Sequence, residues 1–162
     1  MNAQPRLVII GVGNPDCGDD GVGAAVVRAL SGRLPEAVET RVRSGDMLGL
    51  IEDWAGAEAV ICIDAAASLG SPGRIHRVDV DEGKLPPEAG LASSHAFGLA
   101  EAIALSRALG SRPRRMIVYA VEGDQFEVGA ALGVLVAGAV EAVALRVVAE
   151  VAQLLSEANI DA

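Results

Sequence analysis

Three aspartates crowd one glycine-rich turn near the start of the chain: Asp16, Asp19 and Asp20 all fall within Gly13-Asn14-Pro15-Asp16-Cys17-Gly18-Asp19-Asp20-Gly21-Val22-Gly23. Two further groups capable of chemistry stand well apart from it. Asp64 closes the apolar run Ala59-Val60-Ile61-Cys62-Ile63, and His95 follows Ser93-Ser94. Asp20, Asp64 and His95 together make a set of two carboxylates and one imidazole. Such a set accepts borderline divalent ions, zinc, nickel, iron or manganese, and has no thiolate to lock one in. The chemistry is therefore that of a metal-responsive acidic cleft. The separations between these residues carry no metal-motif signature of their own.

Each residue also has a plainer reading. Asp20 can cap the following helix, although two adjacent aspartates exceed what one cap requires. Asp64 can cap the turn at Ala65-Ala66, but a carboxylate at the end of five apolar residues must be paired, hydrogen-bonded or metal-bound. His95 sits where the positive end of a helix disfavours protonation, leaving a neutral imidazole suited to a metal. His76, on an alternating strand, is expected to be exposed. Cys17 with His95 would be a nucleophile pair, yet no lysine or arginine lies near it in sequence and the acids around it oppose a thiolate. Trp54 and Phe126 read as packing residues, Phe126 with a possible substrate contact. Asp16, Asp46 and Asp124 read as solvated loop acids.

The elements that must position these groups follow from periodicity. Leu7-Val8-Ile9-Ile10 is an unbroken apolar run, the mark of a strand covered on both faces in a parallel sheet. It breaks into the acidic turn and restarts as a helix from Val22 to about Leu30. The turn has Gly11-x-Gly13 and then Gly18, not G-x-G-x-x-G, and its aspartates would repel a pyrophosphate, so a cation is preferred to a dinucleotide as the first reading. Val38 to Arg43 alternates as a half-covered strand. Met47 to Trp54 forms a short helix with Leu48, Leu50 and Ile51 inward. Ala59 to Ile63 is a second buried strand, ending in Asp64. Arg74 to Val78 alternates and belongs towards a sheet edge. Residues 81–92 form a loop, and a helix opens near Ser93-Ser94 and runs to Leu109-Gly110. Met116 to Val121 is another apolar strand, followed by Glu122-Gly123-Asp124 and a glycine-spaced loop. A long helix then spans about Val134 to Ser156, with a polar stripe of Arg146, Glu150, Gln153 and Glu157.

Strands alternating with helices predict a single α/β domain over residues 1–162. The expected form is a three-layer sandwich, with a mostly parallel central sheet of about five strands and helices on both faces. Sites in such sheets lie outside the carboxyl ends of the strands. The Asp19-Asp20 turn, Asp64, Glu122-Asp124 and His95 all converge there.

Composition narrows the partners. The 162 residues carry a formal net charge of −9, which disfavours nucleic acid and anionic membrane surfaces. Hydrophobic residues make up 51% and aromatics only 2%, so aliphatic side chains must build the core. No apolar stretch approaches the roughly 18 residues that span a bilayer. The N-terminus shows no signal-peptide pattern, and two cysteines give no disulfide framework, so a cytoplasmic setting with two free thiols is expected. A monomer is expected.

The motifs Gly11-Val12-Gly13-Asn14-Pro15 through Gly18-Asp19-Asp20-Gly21-Val22-Gly23, Val60-Ile61-Cys62-Ile63-Asp64-Ala65, Ser93-Ser94-His95-Ala96-Phe97-Gly98-Leu99 and Val118-Tyr119-Ala120-Val121-Glu122-Gly123-Asp124 resemble, in this order, the nickel–iron hydrogenase maturation endopeptidases. The resemblance covers roughly residues 7–148. It implies an endopeptidase that removes a C-terminal extension from a hydrogenase large-subunit precursor after nickel insertion. By motif, the nickel contacts would be Asp20, Asp64 and His95, the nickel being carried by the substrate rather than bound tightly by the protein. The family's first acid is often glutamate, and here it is aspartate, one methylene shorter. Gly133 stands where the family often has serine, and Asp46 adds a carboxylate where relatives commonly have an uncharged residue. The alternatives from the residues alone are a metal-dependent hydrolase of small amides or peptides, and a metal- or nucleotide-binding regulatory module. The chain has no His-Glu-x-x-His and no credible Ser-His-Asp set.

Overall fold

The computed structural model describes residues 5–44, 46–81 and 99–160, without the side chains of residues 47, 159 and 160. The apolar runs do become the central strands. β1 (Leu7–Val12), β3 (Ala59–Ala66) and β5 (Arg115–Glu122) are buried along almost their whole length. β2 (Val38–Arg43) and β4 (Ile75–Asp79) alternate and flank them. The sheet order is β2-β1-β3-β5-β4. β1 runs parallel to β2 and β3, and β3 parallel to β5, while β4 lies antiparallel on β5 at the edge.

Side-chain alternation divides the core in two. Leu7, Ile9, Ile61, Ile63, Ile117 and Tyr119 face α1 (Val22–Ala29) and α4 (Val134–Ile160). Val8, Ile10, Val60, Cys62, Met116 and Val118 face α2 (Met47–Trp54) and α3 (Leu99–Ala108). This is the three-layer α/β sandwich expected. Each fully buried Val, Leu or Ile contributes about 1.5–3 kcal/mol, so aliphatic packing suffices where aromatics are scarce. Trp54 is fully buried and its indole N–H donates to Ser106 Oγ at 2.8 Å, joining α2 to α3. Cys17 is half-buried and Cys62 buried, both as free thiols. Among the described residues no helix is long and apolar enough to cross a membrane.

Four local expectations need correction. Leu48 is 62% exposed, because a helix of only two turns turns one narrow stripe, Leu50 and Trp54, inward. β3 continues through Asp64 to Ala66, since Ala65 and Ala66 pair with Val121 and Glu122. The long helix runs on to Ile160. Glu150 is not part of a solvent stripe: only 8% exposed, it receives the Arg77 guanidinium at 2.6 Å and the Tyr119 hydroxyl at 2.8 Å, clamping α4 to β4 and β5. Residues 82–98, and with them the expected loop, the helix start at Ser93-Ser94 and His95, lie outside the described residues.

Candidate functional site

The chain leaves β1 for β2 on one side and returns to β3 on the other, so the carboxyl ends of β1 and β3 form the switch point where α/β sites are built. Two glycines let α1 press onto that point. A Cβ on Gly23 would stand 2.6 Å from the Ile63 carbonyl oxygen and 2.7 Å from the Val12 nitrogen; one on Gly11 would stand 2.5 Å from the Gly23 oxygen. With both lacking a side chain, the start of α1 packs closely on Ile63 and Val12, and the 3-10 turn Gly18–Gly21 that leads into it lies against β3. Gly13, at φ +127°, turns the chain sharply after β1 where any Cβ would collide with the Asp20 carbonyl.

Asp20 and Asp64 are thereby brought together in the interior, 2% and 0% exposed. Asp20 caps no helix: its Oδ2 accepts the Asn14 N–H at 2.8 Å and so closes the acidic turn on itself. Asp64 Oδ1 accepts the N–H of Ala65 at 2.8 Å. Its other oxygen, Oδ2, is buried without a hydrogen-bond partner among the described residues. Burial pushes the Asp64 carboxyl up to about 8; the Ala65 N–H opposes the rise and the Asp20 charge adds to it. Of the three expected ligands, the structure brings two together, and His95 lies outside the described residues. Among those residues no group of three or more His, Cys, Asp or Glu is arranged to hold a metal ion.

Asp19 has a role that the sequence did not disclose. Fully buried, it accepts three backbone N–H groups, from Asp124 at 2.8 Å and Gln125 at 3.0 Å on one oxygen and from Gly133 at 2.7 Å on the other. Backbone bonds from Gly18 to Ala130, Asp19 to Gln125 and Gly129 to Asp16 complete a seam between the acidic turn and the β5–α4 loop. Adjacent aspartates have thus divided two tasks, Asp19 fastening the loop and Asp20 facing Asp64.

Glu122 is the second acid whose role the sequence did not disclose. At 1% exposure it accepts the N–H groups of Leu69 and Ser71, pinning the β3–β4 loop, and lies 3.8 Å from His76 Nε2. Burial works against its charge, but those donors and His76 outweigh it and hold the carboxyl below its ordinary range. His76 is accordingly half-buried, not an exposed strand residue. It pairs with Ala120, which pairs in turn with Asp64, so the three occupy one row across β3, β5 and β4. A period-2 strand pattern places His76 on a face but does not say what covers that face.

Of the remaining candidates, Asp16 and Asp124 are exposed loop acids, as expected. Asp46, also exposed, caps α2 by accepting the Gly49 N–H at 3.2 Å. Phe126 is half-buried against the α1/α4 core.

Fold and site together define a doubly wound α/β protein with paired buried carboxylates at the carboxyl edge of its sheet. The family model HycI, hydrogenase maturation protease, matches residues 42–150, and the chain belongs to that family. That span contains Asp64 and the Ser93–Leu99 motif; the acidic turn precedes it. The hydrogenase expression/formation protein HupD of Thiocapsa roseopersicina is 27% identical over 124 residues, 75% of this chain and 56% of that protein. The chain thus spans little more than half the length of that relative. The hydrogenase 2 maturation protease of Escherichia coli K12 is 27% identical over 75% of this chain and 76% of its own. A solution structure of an endopeptidase from Escherichia coli shares the fold with a TM-score of 0.79 and 26% identity, covering 94% of this chain and 93% of that one.

Proposed function

We propose that this protein is an endopeptidase that removes the C-terminal extension of a nickel–iron hydrogenase large-subunit precursor once nickel has been inserted. Asp20, Asp64 and His95 contact the nickel that the substrate carries. The observation that supports this reading most is the Asp64 carboxyl: deep in the protein, with one oxygen lacking a hydrogen-bond partner among the described residues and with Asp20 beside it.

The chemistry follows from that arrangement. Two buried carboxylates repel each other, and with its carboxyl at about 8 Asp64 keeps its proton at neutral pH. An arriving dication removes the penalty on both charges, displaces the Asp64 proton and gains two oxygen donors. Without thiolates the site is too weak to strip nickel from substrate cysteines, but it can complete the coordination of an ion already held there. Metal then acts as a licence, present only on a loaded precursor. The buried acids Asp19 and Glu122, satisfied by backbone donors, hold the two loops that border this edge.

The test is mass spectrometry of nickel-loaded and nickel-free large-subunit precursor, each incubated with the protein. Loss of a C-terminal fragment from the loaded form alone is the expected result. Cleavage of both forms keeps the protease and discards the nickel contacts. Cleavage of neither, with a verified cognate precursor, leaves the hydrolysis of small amides or peptides as the activity to assay.

A further inference from the structure

The β5–α4 loop pinned by Asp19 carries an unusual outer surface. Val128, Val134 and Leu135 are 86%, 88% and 63% exposed, three of the eight large apolar side chains exposed among the described residues, and all fall within eight positions of sequence. Apolar side chains exposed together and rimmed by polar residues mark interaction surfaces, whereas singly scattered ones are ordinary. The same segment is acidic. Asp124 and Glu127 are exposed, as is Asp16 across the seam, and none makes an ion pair among the described residues.

The segment is also held still. Three N–H groups fixed on the Asp19 carboxylate and three backbone bonds to the acidic turn tie it down before any partner arrives, so little ordering cost remains for binding. It is tied, moreover, to the very turn that carries Asp20. A ligand seated on this loop is registered against the Asp20–Asp64 pair through covalent neighbours and a short seam.

We propose that the segment from Asp124 to Leu135 is the docking surface for the polypeptide substrate. Its occupant is a stretch of the precursor that presents apolar side chains beside lysine or arginine. The apolar part seats on Val128, Val134 and Leu135, and the basic part faces Asp16, Asp124 and Glu127. This rests on the protease reading above and adds where the substrate is gripped and by what chemistry. Docking of this kind acts on binding rather than on the chemical step, so it appears in KM and leaves kcat nearly alone.

The experiment uses the whole protein and nickel-loaded precursor, comparing the parent with Val128→Ser/Leu135→Ser and with Asp124→Lys/Glu127→Lys. Precursor binding is measured by titration alongside cleavage kinetics, and unfolding midpoints confirm that these surface variants fold. The expected result is a rise of about tenfold or more in Kd and KM for both variants, equivalent to about 1.4 kcal/mol, with kcat within about twofold. KM of the parent should also rise between about 50 and 300 mM salt, while the lysine variant loses that dependence. Unchanged Kd and KM in both variants, with a parent that cleaves, overturns the docking surface and leaves the protease reading intact. A parent that binds without cleaving, and whose binding the variants weaken, supports the surface and overturns the protease reading. A parent that neither binds nor cleaves overturns both.

Discussion

Replacing Asp64 by asparagine should make the protein more stable in alkali while ending its activity. The carboxyl stands at about 8 in the folded chain, held up first by burial and then by Asp20, against an ordinary value near 4 once unfolded. Between these two values the folded state holds a proton that the unfolded state has lost. Stability therefore falls as pH rises through this window, by about 1.4 kcal/mol for each pH step of one, and levels off above the folded value. From pH 4 to pH 7 the loss amounts to about 4 kcal/mol, a large share of a typical domain's 5–15 kcal/mol. Asparagine carries no such proton, and its Oδ1 can still accept the Ala65 N–H. Urea unfolding of both proteins at pH 5, 6, 7 and 8, with chelator present, should show a stability difference that moves in favour of Asp64→Asn by about 1.4 kcal/mol for each pH step until it levels off near pH 8. All other titrating groups are common to the two proteins and cancel to first order. Parallel stability curves would refute the reasoning, because they would mean that Asp64 ionises when folded as easily as when unfolded. In the same variant cleavage of loaded precursor should be lost; full activity would remove Asp64 from the site.

Asp19→Ala leaves three partly buried N–H groups without their acceptor and should cost about 3 kcal/mol, with hydrogen exchange accelerating at Asp124, Gln125 and Gly133 beyond the global effect; uniform exchange would refute the latch. Gly133→Ser introduces a Cβ 3.3 Å from Asp19 Oδ1, close enough for the new hydroxyl to donate to that oxygen, so stability should change by less than about 1 kcal/mol and cleavage should persist. A collapse of either would show that the bare glycine is required. Gly23→Ala forces a Cβ against the backbone of Ile63 and Val12 and should destabilise by about 3 kcal/mol, reducing cleavage by parting the acidic turn from β3. An unaltered unfolding midpoint would contradict the close packing of α1.

The sequence made the architecture legible because its signals were local. Unbroken apolar runs marked β1, β3 and β5 as buried, and alternation marked β2 as half-covered and β4 as lying towards an edge. The pairing of Asp20 with Asp64 was legible for the same reason, since each ends or follows a parallel strand and such strands end on one edge. What escaped was long-range. Asp19 is bonded to residues more than a hundred positions away, Glu122 to a loop about fifty away, and Glu150 to Arg77 across 73. An acid in a polar helical stripe and an acid clamped by a distant arginine look the same in sequence.

This difference also separates structural acids from functional ones by accounting for donors. A buried carboxylate is costly until its oxygens are satisfied. Asp19 meets that requirement with three N–H groups, and Glu122 with two and an imidazole, so each is complete without a ligand. Asp64 receives one N–H, from its own neighbour, and the shortfall appears as a carboxyl that keeps its proton near neutrality. A group made only to stabilise the fold would be served better by asparagine or by another donor, and neither is present. On the reading proposed above, the deficit is what makes the site responsive: a proton occupies Asp64 until a dication replaces it. The family's frequent glutamate at the position of Asp20 would carry its carboxylate one methylene farther, so Asp20→Glu tests the reach that the site requires. If the first acid contacts the metal directly, that variant should keep cleavage within about tenfold of the parent, whereas Asp20→Asn should lose it by more than a hundredfold, about 2.7 kcal/mol in the barrier. Equal losses in both variants would mean that the turn at Asp20 requires the reach of aspartate as well as its charge.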